Sequence, residues 1–151
     1  MPQPFSSAVI TNSGIKMLAQ VHASSAKIEM TKMVIGNGVY SKAEKEIYSL
    51  QNRTSLKSKK NEYAFSNMYV VSNTSAKLTA LVTNQNPATK EILVEEGYYI
   101  NEIGIYARVN GGQEELYSIA VTDGEQGDYM PPYNGYSPVQ IIQDYYVTAD
   151  S

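Results

Sequence analysis

The chain has 151 residues, no cysteine, and 12 basic against 15 acidic side chains, for a formal charge of −3. These values exclude disulfide frameworks, thiolate nucleophiles and thiolate metal sites, and they supply no basic stripe of the kind that phosphate contacts demand. Residues 1–151 fit one domain, long enough for a real core, and tyrosine is the compositional outlier at 13 against two phenylalanines and no tryptophan.

The N-terminus MPQPFSSAVITNSG has no basic segment and no apolar run of signal-peptide length, and no later stretch approaches a membrane span. Folding in the cytoplasm without membrane insertion is therefore expected. Thr11, Asn12 and Ser13 are N-cap types ahead of Met17, Leu18 and Val21, which share a helical face with Ile10 and Gly14. This pattern predicts a helix from Asn12 to about Ala23. The sequence KIEMTKMVIG then predicts a strand, alternating Ile28, Met30, Lys32 and Val34 against Glu29, Thr31, Met33 and Ile35. Gly36-Asn37-Gly38 ends it in a turn, being too short for a dinucleotide fingerprint.

Residues 43–54 carry a sparse apolar stripe of Ala43, Ile47 and Leu50, consistent with a second short helix on the sheet. The basic cluster from Lys57 to Lys60 has no interleaved aromatics and reads as a solvated loop rather than a polyanion contact. Strands over 63–71 and 76–83 are joined by the small polar residues Ser72 to Ser75, a hairpin signal. Further strands are expected from near Ile92 or Gly97 to Val109, over 115–121 and over 139–147. In GYYINEIGIYARV (97–109), alternation places Ile103, Ile105, Ala107 and Val109 on a core face and Tyr98, Ile100, Glu102, Gly104, Tyr106 and Arg108 on the other. The resulting fold class is α+β, mainly antiparallel β-sheet or sandwich, with two short helices towards the N-terminal side.

Residues 122–138 (TDGEQGDYMPPYNGYSP) form the longest irregular stretch, and its aromatics argue against plain disorder. Rigid prolines beside aromatic and Met anchors make Tyr129, Met130, Pro131, Pro132, Tyr133 and Tyr136 the candidate protein interface. A loop that merely covers its own core is the alternative.

Catalytic chemistry finds little to build on. The single histidine, His22, falls late in the first helix, where it shields the apolar stripe and favours the helix C-terminus. No serine sits in a nucleophile elbow. Glu95-Glu96 and Glu114-Glu115 are adjacent pairs, and neighbours on a strand face opposite sides. Asp123, Glu125 and Asp128 lack calcium-loop spacing. No catalytic residue, cofactor or metal is therefore assigned. Glu102 stands out as a carboxylate inside an apolar strand, needing a partner from a neighbouring strand, a backbone amide or another subunit.

Taken in order, ITNSGIKMLA, MVIGNG, GYYINEIGIYAR, GQEELYSIA and DYMPP resemble the N-terminal domain of phage tail-collar fibre proteins, over roughly residues 10–147. The order and spacing carry the resemblance, not any one motif. It implies a non-enzymatic subunit of a phage tail or tailocin, joining the tail fibre to the baseplate, assembled in the host cytoplasm and located in the virion tail. It further implies baseplate or tail proteins as partners and a homo-oligomer, a trimer in that family. The family's E-I-G motif falls on Glu102, Ile103 and Gly104, and its proline pair on Pro131 and Pro132. Members of the family continue into a shaft and a receptor-binding tip, so the resemblance bears on attachment rather than receptor recognition. The runner-up is a small carbohydrate-binding β-domain that uses surface tyrosines as stacking platforms. A weaker third reading is a glycosidase built on Glu95, Glu102 or Glu115.

Overall fold

The computed structural model describes residues 5, 7–72, 75–124 and 126–148. Among the described residues there are ten strands in chain order with two α-helices near the start: β1 (Val9–Ile10), α1 (Asn12–Ala23), β2 (Ile28–Gly36), α2 (Ile47–Gln51), β3 (Lys59–Tyr63), β4 (Phe65–Ser72), β5 (Ser75–Thr83), β6 (Tyr98–Ile100), β7 (Glu102–Val109), β8 (Glu115–Val121), β9 (Asp128–Met130) and β10 (Gln140–Thr148). They form a five-stranded sheet in the order β1-β8-β7-β2-β3, a three-stranded sheet β10-β5-β4 and a two-stranded ribbon β6-β9, with every pairing antiparallel. The mainly antiparallel α+β class expected from the sequence is the observed one.

Helix α1 has the expected bounds for the expected reason. The Thr11 hydroxyl accepts the Gly14 amide at 3.1 Å, satisfying one of the free donors of the first turn, and it also donates to the Leu116 carbonyl. One side chain thus caps the helix and ties it to β8. Gly14 sits where a Cβ would run into the Tyr117 carbonyl, so the helix lies close against that strand. Met17 and Leu18 are buried, while His22 is exposed in the last turn.

The five-stranded sheet is apolar on both faces. Met33 and Ile35 of β2, Ile103, Ile105 and Ala107 of β7, and Tyr117 and Ala120 of β8 meet Leu78, Ala80 and Val82 of β5, Tyr145 and Val147 of β10, and α1 in the main core. At about 1.5–3 kcal/mol for each large apolar side chain taken out of water, this layer dominates the folding free energy. The opposite face carries a second cluster of Val34, Leu116, Ile119 and Val121 under Tyr40, Leu50 and Leu56. The lid over that second cluster is the segment between β2 and β3.

Three expectations need correction. A bulge between Met30 and Lys32 resets the alternation of β2, so Ile28 and Met30 pack on the same core as Met33 and Ile35 instead of opposing them. The second helix is broken: a 3₁₀ turn (Ala43–Lys45) is separated from α2 by Glu46 in extended conformation, and of the three stripe residues only Leu50 is buried. The basic cluster is not a free loop, because Lys59 and Lys60 begin the edge strand β3. The hairpin β4-β5 forms as expected, although Asn73 and Thr74 of its loop lie outside the described residues.

Candidate functional site

Strand β7 starts one residue after a break. Asn101 is buried between β6 and β7; its side-chain oxygen accepts the Gly127 amide at 2.8 Å, and its side-chain nitrogen donates to the Asn37 carbonyl and to Gln126. The single strand expected over 97–109 is therefore two, since an Asn committed to three loop partners turns the chain out of the sheet, and Tyr98 and Ile100, expected on the Glu102 face, pack in the main core with Ile103 and Ile105 instead. Asn84 does equivalent work nearby. It is buried, donates to the Pro131 carbonyl at 3.1 Å and accepts the Val139 amide at 2.9 Å. These two asparagines tie down much of the stretch 122–138.

Glu102 follows the break and is fully buried. Its face of the sheet is the one covered by the 39–58 segment, and that segment supplies its partners. Oε2 accepts the amides of Gly38 at 2.9 Å and Ser58 at 2.8 Å; Oε1 accepts the amide of Lys57 at 2.8 Å and the hydroxyl of Tyr40. Three backbone donors and a phenol give a carboxylate what burial requires, since an unpaired buried charge costs several kcal/mol. Burial and the hydrogen bond to Glu102 push the Tyr40 hydroxyl well above its ordinary value, which keeps it a donor.

The glycines beside this carboxylate are explained by it. A Cβ on Gly36 would lie 2.5 Å from Glu102 Oε2, and one on Gly38 would lie 2.6 Å from the same oxygen and 2.6 Å from Lys57 Cβ. Neither glycine has a positive φ. The Gly36-Asn37-Gly38 sequence, expected to be a turn, is thus a cradle for a side chain 64 positions further along. Gly104, next but one to Glu102, leaves room in the same way for Leu56, whose Cδ2 would be 3.0 Å from an added Cβ.

A charged rim closes the cluster. Lys57 Nζ meets both Glu44 oxygens at 2.7 and 2.8 Å, donates to the Val39 carbonyl at 2.9 Å and lies 5.0 Å from the centre of the Tyr40 ring. Ser41 and Glu44 bond reciprocally, each amide to the other's side chain, as in a capping box. The Lys57 ammonium and the Ser41 donors hold the Glu44 carboxyl down at about 2.

The candidate interface residues separate into two groups. Met130 is buried in the main core, so it anchors the loop from inside and cannot serve as an exposed interface anchor. Pro131 offers its carbonyl to Asn84, and Tyr133 is half-buried with its amide bonded to the Val94 carbonyl. Tyr129, Pro132 and Tyr136 face solvent, Tyr136 at 88% exposure. Tyr129 lies over Gly97 and packs against Tyr99, also exposed, with ring centres 5.1 Å apart. Sequence reasoning missed Tyr99 as a member of this surface, although its place beside Gly97 in an aromatic pair was the available signal. Asn84 and Asn101 were missed as well; an Asn inside a strand pattern is uncommon enough to mark Asn101.

The other carboxylates do not converge. Glu95 and Glu96 are exposed, Glu114 precedes β8 and pairs with Lys32 at 3.5 Å, Glu115 begins β8, and Arg108 pairs across strands with Glu29 at 3.0 Å. Asp123 is exposed and Asp128 lies in β9, while Glu125 is outside the described residues. Among the described residues no group of three metal-ligating side chains comes together, and no helix is long and apolar enough to cross a membrane. Compared with protein-family models, with curated proteins and with solved structures, the chain shows no match in any of the three.

Proposed function

We propose that this chain is a non-enzymatic structural subunit of a phage tail or tailocin, located at the baseplate end of the virion tail, where it joins the fibre to the baseplate. The observation that carries this reading is the meeting of two of the motifs on which the tail-collar resemblance rests. The I-G-N-G segment and the E-I-G strand touch through the Gly38 amide and the Glu102 carboxylate. A shared sequence pattern whose parts hold each other in place is a pattern kept by architecture, and the carboxylate most suggestive of catalysis is fully engaged in that architecture. The partners proposed are tail and baseplate proteins and further copies of the chain, as a trimer. The exposed part of the tyrosine surface, Tyr99, Tyr129, Pro132 and Tyr136, is the contact region proposed for them.

Co-expression with the baseplate proteins of the same tail, followed by pull-down and light scattering, tests this directly. A stable complex that is lost on Tyr129→Ala with Tyr136→Ala supports it; a chain that stays monomeric and captures no tail protein contradicts it. A second reading, a carbohydrate-binding β-domain, is favoured by the tilted Tyr99–Tyr129 pair, which offers an exposed aromatic platform. Binding on a glycan array that disappears in Tyr99→Ala would select it over attachment.

A further inference from the structure

The sequence contains three Asn-Gly pairs, Asn37-Gly38, Asn110-Gly111 and Asn134-Gly135, and the fold treats them differently. In such a pair the glycine amide nitrogen can attack the asparagine side-chain carbonyl, because glycine leaves that nitrogen sterically open. At Asn37 the nucleophile is held: Gly38 is buried and its N–H is bonded to Glu102 at 2.9 Å. At Asn110 the electrophile is turned away. Its side-chain oxygen accepts the Lys27 amide at 3.0 Å and its own amide donates to the Lys27 carbonyl at 3.1 Å, so the carboxamide reaches across to the start of β2 rather than along its own backbone.

Asn134 is the opposite case. Its side-chain oxygen accepts the amides of Tyr136 at 2.8 Å and Ser137 at 3.2 Å, which folds the carboxamide forward over the Gly135 peptide. Gly135 is exposed and lies in the left-handed region at φ 88° with open space around it, as Gly111 does at φ 75°, so the direction of the carboxamide is what separates Asn134 from Asn110. The geometry points to Asn134-Gly135 as a self-modifying site: a deamidation centre whose oxyanion hole is its own turn. The Gly135 nitrogen gives its proton to hydroxide and bonds to Asn134 Cγ, and the negative charge that develops on Oδ1 falls between two backbone N–H groups. The Cγ–Nδ2 bond then breaks, ammonia leaves with a proton from water, and a second water opens the cyclic imide to aspartate or isoaspartate. Either product places a new negative charge two residues from the exposed Tyr136. The isoaspartate also lengthens the backbone by one methylene and dismantles the turn that presents that ring.

The full chain, incubated in mildly alkaline buffer and sampled over time, is digested and mapped by tandem mass spectrometry for the amide-to-acid mass gain at each asparagine; the same chain in denaturant gives the unfolded reference. Asn134 is expected to convert in the folded chain at least about tenfold faster than Asn110 or Asn37, and no slower than in denaturant, with Asn37 and Asn110 both slowed by folding. Gly135→Ala is expected to slow conversion at Asn134 by about tenfold and leave Asn110 unchanged. Folded-state rates that are equal at the three sites, or highest at Asn110 or Asn37, overturn the assignment.

Discussion

The Gly38 amide donates to the Glu102 carboxylate at 2.9 Å across 64 positions of sequence, and this bond joins the end of β2 to the start of β7 on the lid side of the sheet. Lys57 and Ser58 complete the grip from the entry to β3. Three segments that are remote in the chain are therefore held by one side chain. Its removal affects all of them together.

Glu102→Ala takes the carboxylate acceptor from three backbone donors and the Tyr40 hydroxyl in a buried site, with only the Lys57 amide keeping a second acceptor, the Tyr40 hydroxyl at 3.3 Å. The expected loss is about 3–5 kcal/mol of unfolding free energy in urea titrations. Glu102→Gln keeps the volume but turns an amide donor towards backbone donors, for an expected loss of about 1–3 kcal/mol. A Glu102→Ala chain as stable as the wild type would remove the structural role assigned to this residue.

The glycine cradle gives a sharp contrast. In Gly38→Ala the new methyl meets Glu102 on one side and Lys57 Cβ on the other, neither able to retreat, and the expected cost is about 1–3 kcal/mol. Gly124→Ala places a methyl where nothing lies within 4 Å and should stay within about 0.5 kcal/mol of wild type. Thermal or chemical denaturation of the two variants side by side reads the difference.

Thr11→Ala removes both the cap of α1 and its tie to β8. An N-cap is worth about 0.5–2 kcal/mol, and the buried Leu116 carbonyl loses a donor as well, so a value at the upper end of that range is expected. Far-ultraviolet circular dichroism through the unfolding transition measures it.

The tyrosines set an alkaline limit. Burial pushes the Tyr63 hydroxyl up to about 12 from its ordinary 10.0, and it pushes Tyr40, Tyr98 and Tyr145 up as well. A group whose folded value is raised holds its stabilising contribution intact below the unfolded value and loses it as pH rises through the folded one. Stability should therefore be level up to about pH 10 and fall between there and about pH 12. Tyrosinate absorbance is expected to show a late phase, from Tyr40, Tyr63, Tyr98 and Tyr145, coincident with unfolding. An absorbance titration without that late phase would contradict the raised values of these four.

At the acid end, Glu44 is held at about 2 against an ordinary 4.5. A lowered carboxyl contributes above its unfolded value and loses that contribution as pH falls through the folded one, so the Glu44–Lys57 pair should weaken only below about pH 4.5 and be gone near pH 2. Nuclear magnetic resonance titration of the Glu44 side chain should show this low midpoint, with Lys57→Gln moving it up towards the ordinary value. Glu44 is solvent-facing, so added salt should also shift it upward.

What was legible in the sequence follows from which forces are local. The bounds of α1 were readable because a cap residue and a helical stripe coincide at Thr11 to Leu18. The core face of β7 was readable because Ile103, Ile105 and Ala107 alternate without interruption. The bulge at Thr31 was not, since it reverses a pattern that looks regular. Strand β3, KKNEY, has almost no apolar content because it is an edge strand, held by main-chain bonds to β2 that leave little trace in residue type. The awkwardness of Glu102 was plain, but its partners were not: they are mainly backbone amides, which every residue possesses. Only the glycines at 36 and 38 hinted at the contact, and they carried the appearance of a turn.

Hydrogen exchange at the three amides that grip Glu102 tests the structural role of that carboxylate most directly. In the wild type, the amides of Gly38, Lys57 and Ser58 should be protected together, and in Glu102→Gln all three should exchange faster while the β7–β8 amides of the core keep their protection. Exchange at the wild-type rate for these three amides in the variant would show that the carboxylate does not hold the lid.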